Sequence, residues 1–203
     1  MEADAYLSLK ERSKGLFKSK GSKHFSYGEP VRSEKDVKDF INELKIEHSS
    51  ADHFCYAYRL GHNGAKYRSN DDGEPNNSAG PPILGVLKSL DLTNTLIVVV
   101  RYFGGTKLGV SGLIEAYREA AIDAIQNGDI VENFRSNILK ISYPYMKMGD
   151  VMNILKRSNI KPYNADFQNN CSLEINVRQK DSDSILNQLA ELSEVQIEIL
   201  HEG

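Results

Sequence analysis

Two short segments of this 203-residue chain carry residue types at spacings that could do chemistry. The first, Arg101-Tyr102-Phe103-Gly104-Gly105-Thr106-Lys107-Leu108-Gly109-Val110-Ser111-Gly112, lies between a strand-like and a helix-like pattern. Glycines in that setting let the backbone approach a ligand, and the unpaired amides that open a helix sit at the positive end of its dipole, where an anion is favoured. Arg101 and Lys107 would add full charge. Gly104 and Gly109 bracket four residues as in a P-loop, but Val110 stands where that motif needs lysine. The GxGxxG order of a dinucleotide loop is missing as well, so no nucleotide cofactor is expected. Without a ligand, the same glycines simply make turns.

The second segment, Asn70 to Pro82, places Asp71, Asp72 and Glu74 among turn formers. Aligning Asn70, Asp72 and Gly73 to a calcium-binding EF-hand loop puts Arg68 at its first aspartate, so no metal site is expected. Two other uses remain open. Asp71 and Asp72 could accept nearby backbone amides while Pro81-Pro82 lets Ile83 start a helix, or the acids could pair with Arg101 or Arg59 and fix the glycine loop. His53 and Cys55 share a strand face, but side chains two residues apart stand roughly 6.5 to 7 Å from one another, too far for a direct thiol–imidazole hydrogen bond.

Periodicity supplies the elements that would hold these segments. Ser33 with Asp36 signals a helix start, and Val37, Phe40, Ile41 and Leu44 follow at helical spacing. From Ala51 to Leu60 a strand sets Phe54, Tyr56, Tyr58 and Leu60 on one face and His53, Cys55, Ala57 and Arg59 on the other. Ile83 to Leu90 reads as a short helix, Thr95 to Tyr102 as a central strand, and Leu113 to Ala124 as an alanine-faced helix ending at Asn127-Gly128. A polar stretch, Asn133 to Asn137, marks the domain boundary. Beyond it, strands at Ile138 to Tyr143, Ile160 to Phe167, Leu173 to Val177 and Val195 to Ile199 alternate with helices at Lys147 to Asn159 and around Ile185 to Leu192. Their order, βαββαβ, is the ferredoxin-like arrangement, which sets architecture without naming a ligand. The fold class is α+β.

Composition narrows the setting. The 40% of hydrophobic residues suffices for packed cores. The longest apolar run, Leu96 to Val100, is far short of the roughly 20 residues a membrane helix needs, so no membrane partner is expected. Met1 to Ala5 is acidic and lacks a signal-peptide core, which points to the cytoplasm, where Cys55 and Cys171 would be reduced thiols. The net charge of −3 conceals a basic stretch, with six Lys or Arg from Lys10 to Lys23 against the single acid Glu11. That stretch could touch phosphate, or its lysines could guard the edge of an N-terminal hairpin.

Taken together, Ala51-Asp52-His53-Phe54-Cys55-Tyr56-Ala57-Tyr58-Arg59, Asp71-Asp72-Gly73-Glu74-Pro75 and Arg101-Tyr102-Phe103-Gly104-Gly105 with Lys107-Leu108-Gly109 resemble the IMPACT/YigZ family. The blocks stand in the family's order and cover Ala51 to about Tyr117. The resemblance implies an N-terminal domain like the second domain of ribosomal protein S5 over residues 1–134. It also implies a C-terminal ferredoxin-like domain over 135–203 and a role in translational regulation, with RNA, the ribosome or translation factors as partners. Asn77-Ser78 stands where the family usually has Gly-Thr, and Ser111 and Glu115 where it usually has Gly and Arg, which weakens a cationic site. Kinase regulation, which goes with an additional N-terminal domain in eukaryotic members, is not carried over.

The leading expectation is therefore a non-enzymatic binder of RNA or a ribosomal surface. Its candidate phosphate-binding residues are Arg59, Arg101, Tyr102, Gly104, Gly105, Lys107, Gly109 and Ser111, with His53, Asp71, Asp72 and Glu74 organising the loops. The competing expectation is an enzyme acting on a small phosphorylated or peptide substrate at a cleft among His53, Asp72 and Gly105. No complete catalytic set is legible.

Overall fold

A capping box starts the first helix: the Ser33 hydroxyl accepts from the Asp36 amide, and the Asp36 carboxylate accepts from the Ser33 amide. Satisfying two otherwise orphaned donors is what stabilises such a start, so Ser33→Ala is expected to lower stability by about 1 kcal/mol in urea unfolding. The computed structural model describes residue 2 and residues 4–202; Met1 and Ala3, which belong to the acidic pentapeptide discussed above, lie outside the described residues, as does Gly203. The chain divides into two compact units, residues 6–133 and residues 134–203 together with the first five.

In the first unit, β2 (Ser13–Ser19), β3 (Ser22–Pro30), β4 (His53–Leu60), β5 (Lys66–Asn70) and β6 (Thr95–Tyr102) form one sheet in the order β2-β3-β6-β4-β5. Its adjacent pairs are antiparallel. β6 is buried from Thr95 to Arg101 because both sheet faces are covered. On one face lies α1 (Glu34–Glu47), whose Val37, Phe40, Ile41 and Leu44 pack with Tyr27, Tyr58, Leu96, Val98 and Val100. On the other lie α2 (Gly80–Ser89) and α3 (Gly109–Gln126), whose Ala116, Ala120 and Ala121 allow close approach to the sheet and pack with Cys55, Ala57, Ile97 and Val99. The two faces of β4 divide as its alternation predicts. β1 (Ala5–Leu9) and β7 (Ile130–Phe134) pair as a separate two-stranded sheet.

The second unit contains β8 (Ser136–Pro144), α4 (Met148–Arg157), β9 (Tyr163–Asp166), β10 (Asn170–Arg178), α5 (Gln179–Ala190) and β11 (Gln196–Glu202). The sheet order is β11-β8-β10-β9, and Leu139, Ile141, Leu173, Ile175, Val151, Leu155, Ile185 and Leu189 form one core on the helix side. β9 is shorter than the apolar pattern from Ile160 suggests, because Ile160 packs into that core instead of pairing. A bulge between Ile199 and His201 breaks the alternation of β11 and leaves Ile199 47% exposed. Helix α2 starts at Gly80, ahead of Ile83, since Pro81 and Pro82 fit its first turn, where no amide donor is needed. Both cysteines are buried and unpaired. No helix among the described residues is long and apolar enough to cross a membrane.

Candidate functional site

The end of the five-stranded sheet where β6 runs out gathers most of the chemistry-bearing residues. Arg101, on the central strand, stands opposite His24 of β3 and His53 of β4, so three nitrogen-bearing side chains form a row on the α2/α3 face. An isolated buried guanidinium would be costly, and Glu74 neutralises it: its carboxylate accepts from Arg101 Nη1 at 2.5 Å and from the Tyr117 hydroxyl at 2.8 Å. Both charged side chains are almost wholly buried. Arg101 Nη2 also reaches Ser22 Oγ at 3.4 Å, and that oxygen accepts the Gly104 amide at 3.1 Å. One chain of polar contacts thus joins the acidic loop, β6, α3 and the glycine loop.

Asp71 and Asp72 are spent on backbone donors. The Asp71 carboxylate accepts from the amides of Asn77, Ala79 and Gly80 at 2.9, 3.0 and 2.9 Å, supplying the cap that Ala79 lacks at the start of α2. Asp72 accepts from the Phe54 amide at 2.7 Å, and its own carbonyl lies 2.8 Å from His53 Nδ1. Because a carbonyl can only accept, Nδ1 carries the proton, which leaves Nε2 of neutral His53 as the bare nitrogen, 4.0 Å from Glu74. Among the described residues, no three His, Cys, Asp or Glu side chains come together so as to hold a metal ion.

The Cys55 thiol donates to the Asp71 carbonyl at 2.9 Å. Burial, reinforced by the neighbouring carboxylates, pushes it far above its ordinary range, so at neutral pH it is a thiol and no ready nucleophile. Burial likewise raises Tyr117. His24 moves the other way: desolvation first, then the charge of Arg101, lowers it to about 4 against a weak backbone contact at Phe17, and neither ring nitrogen makes a hydrogen bond of good geometry. These groups lie in a closed interior, with His24 and Arg101 Nε left without hydrogen-bond partners.

The glycine loop faces outward. The Phe103 amide donates to Asp52 at 2.8 Å, while Gly105 and Gly109 take positive φ values of 84° and 74°. Thr106, Lys107, Val110 and Ser111 are exposed. Helix α3 begins at Gly109 with no side-chain cap and no acid in its first turn, so its opening amides are uncompensated. The β2–β3 hairpin turns through Lys20-Gly21 and packs its tip on Gly104, where a Cβ would come within 1.9 Å of the Gly21 carbonyl carbon. Lys20 is exposed at that tip, Lys18 and Lys23 flank it on the sheet face that Tyr102 shares, and Lys107 is exposed further along the glycine loop. None of these four lysines is in an ion pair among the described residues.

The structure therefore sorts the candidate residues. Gly104 meets the hairpin tip, and Gly105, Lys107, Gly109 and Ser111 are exposed along the glycine loop and the first turn of α3. Tyr102 opens onto the opposite sheet face, its hydroxyl 2.9 Å from His48 Nδ1. Arg101 is buried and already neutralised. Arg59 is elsewhere: six residues along β4 from His53, or about 20 Å away, it donates to Asp91 at 3.1 Å and to the Leu92 carbonyl at 3.0 Å. His53 and Asp72 meet, and the glycine loop is tied beside them through the Phe103 amide on Asp52, while Gly105 faces open space. Lys20 and Lys23 belong to the basic stretch read from the sequence as a phosphate contact or a hairpin guard; the structure adds that the hairpin turns at Lys20-Gly21.

Comparison with known proteins places this geometry. Residues 20–125 match the Impact N-terminal domain. The chain is 33% identical to the IMPACT family member YvyE of Bacillus subtilis, covering 93% of this chain and 87% of that protein. It is 28% identical to an IMPACT family member of Haemophilus influenzae, over 86% and 85% of the two chains. A crystal structure of a hypothetical protein superposes with a TM-score of 0.73 at 24% identity, covering 98% of this chain and 99% of the other, and so shares its fold.

Proposed function

The chain belongs to the IMPACT family, and on that premise we propose that it is a cytoplasmic, non-catalytic, translation-associated protein that binds structured RNA or a ribosomal surface. The observation that carries this reading is the set of exposed lysines without an ion pair near the Gly21–Gly104 contact: Lys20 at the hairpin tip, Lys18 and Lys23 beside it on the α1 face of the sheet, and Lys107 in the glycine loop that leads to the uncapped start of α3. Lysine ammonium groups and free helix amides are both donors to phosphate oxygens, and the glycines admit a backbone approach that side chains would block. The strand order β11-β8-β10-β9 with both helices on one face supports reading residues 135–203 as ferredoxin-like, and the first unit as S5 domain 2-like accords with the family. An enzymatic reading is less favoured: Cys55 is held as a thiol and the carboxylates are bound to amides, Arg101 and Tyr117.

The test is binding to ribosomal subunits and total RNA across a salt series. Wild type is expected to lose affinity linearly with the logarithm of salt concentration. Lys20→Gln/Lys23→Gln/Lys107→Gln should flatten the slope by about one unit per lysine that meets a phosphate. No binding at low salt, or a triple variant with the wild-type slope, would sink the proposal.

A further inference from the structure

Beside the lysines lies a feature that phosphate contacts do not use. A groove of about 410 Å³ is lined by Gly21, Lys23, Phe25, His48, Tyr102 and Phe103, within the range of small-ligand sites. Four of these six residues carry flat rings. Phe25 meets Tyr102 edge-on with centroids 5.8 Å apart, and His48 lies 5.6 Å from Phe25 and 5.9 Å from Tyr102. The polar atoms of this wall are already engaged: His48 bonds the Tyr27 hydroxyl through Nε2 at 2.5 Å and the Tyr102 hydroxyl through Nδ1 at 2.9 Å. What enters the groove therefore meets rings whose own polar atoms are engaged, with the Lys23 ammonium in the lining as well.

Phe103 stands at the rim, 48% exposed, with the Arg101 guanidinium carbon 5.6 Å from its ring centroid and its amide fixed on Asp52. Glu47, the acid nearest His48, lies between it and Lys14, which it faces at 4.0 Å. Lys23 and the hairpin-tip Lys20, which make no ion pair among the described residues, bring cationic charge to the groove. Flat apolar faces next to unpaired lysines match a ligand that joins a planar ring to a phosphate.

We infer that this groove stacks an unpaired base of a single-stranded RNA segment whose phosphates lie on Lys20 and Lys23. The inference rests on the RNA-binding reading above and adds a requirement that reading lacks: in a duplex the bases are stacked inside and their faces are closed to protein rings. Stacking uses a face that every base has, so recognition is for single strands and tolerant of sequence.

The experiment measures affinity of the full chain for a single-stranded RNA of about ten nucleotides carrying 2-aminopurine, and for a blunt RNA duplex of the same length. Wild type, Phe103→Leu and Lys20→Gln/Lys23→Gln are compared, each checked for a wild-type thermal melt. Wild type is expected to quench the 2-aminopurine strand. Phe103→Leu should weaken single-strand binding between about 5- and 150-fold while leaving duplex affinity and salt slope unchanged. The lysine variant should weaken both. If Phe103→Leu binds and quenches like wild type, or wild type prefers the duplex, the groove inference falls and the RNA-binding reading stands. If neither RNA binds at low salt, both fall. Adenosine monophosphate binding as tightly as the strand would make this a free-nucleotide site and overturn the strand assignment. A protein partner lost on Phe103→Leu, with RNA binding intact, would overturn it in favour of protein docking.

Discussion

Glu74→Ala is expected to cost the first unit about 3 to 5 kcal/mol, a drop in melting temperature on the order of 10 °C. The carboxylate is the counter-charge of a buried arginine and the acceptor of a buried tyrosine hydroxyl. Without it, Arg101 keeps the long hydrogen bond to Ser22 and the Phe103 ring but no counter-charge, its Nε already having no partner, and Tyr117 loses the Glu74 acceptor. The cost is thus that of an uncompensated cation more than of a lost bond. A double variant, Glu74→Ala/Arg101→Met, should accordingly be more stable than Glu74→Ala alone, since it removes the stranded charge and fills the space. Urea unfolding of the set decides the matter. A single variant within about 0.5 kcal/mol of wild type would show that water reaches the guanidinium and that the network does not bind the acidic loop to the sheet.

A second large effect follows from His24. Its folded pKa, lowered to about 4 by burial and by Arg101, lies below the ordinary value of 6.5. Between those values the unfolded chain binds a proton that the folded chain refuses. The stabilisation is therefore fully present above pH 6.5 and is lost as pH falls toward about 4. The full loss is about 3 kcal/mol. Its ring sits against Phe17 and Tyr117 without a hydrogen bond, so His24→Leu should fold and should flatten the stability curve between about pH 7 and about pH 4.5. Carboxylates also titrate at the acid end, so the difference between the two proteins is the readout. Parallel curves would mean that the imidazole is solvated.

These two effects mark where the sequence ceases to be legible. Thr95 to Tyr102 reads as a central strand from its unbroken apolar run, and it is one, because burial on both faces leaves no other pattern. The capping signal at Ser33 and Asp36 locates α1 for a similarly local reason. β5 escaped notice since Lys66-Tyr67-Arg68-Ser69-Asn70 has no apolar alternation: it is an edge strand held by its ladder to β4. At the site, the sequence leaves Arg59 and Arg101 open between a phosphate contact and pairing with the loop acids; Arg101 pairs with Glu74, and Arg59 with Asp91 outside that loop. Whether an arginine faces a ligand or a carboxylate depends on residues distant in the chain, here Asp91 and Glu74, and spacing along the chain carries no such information. The basic stretch was visible, but its meeting with the glycine loop is a tertiary fact.

The contact between Gly21 and Gly104 has a consequence for how this surface can change through descent. A Cβ on Gly104 would strike the Gly21 backbone, and one on Gly21, already at a φ of 83°, would come within 2.8 Å of the Gly104 oxygen. Neither backbone can yield as a flexible side chain would, so a change at one position has no compensating change at the other. The two glycines form a closed door in sequence space. Lineages remain free to vary the lysines, and with them the strength of any phosphate contact, while the meeting of hairpin and loop stays fixed.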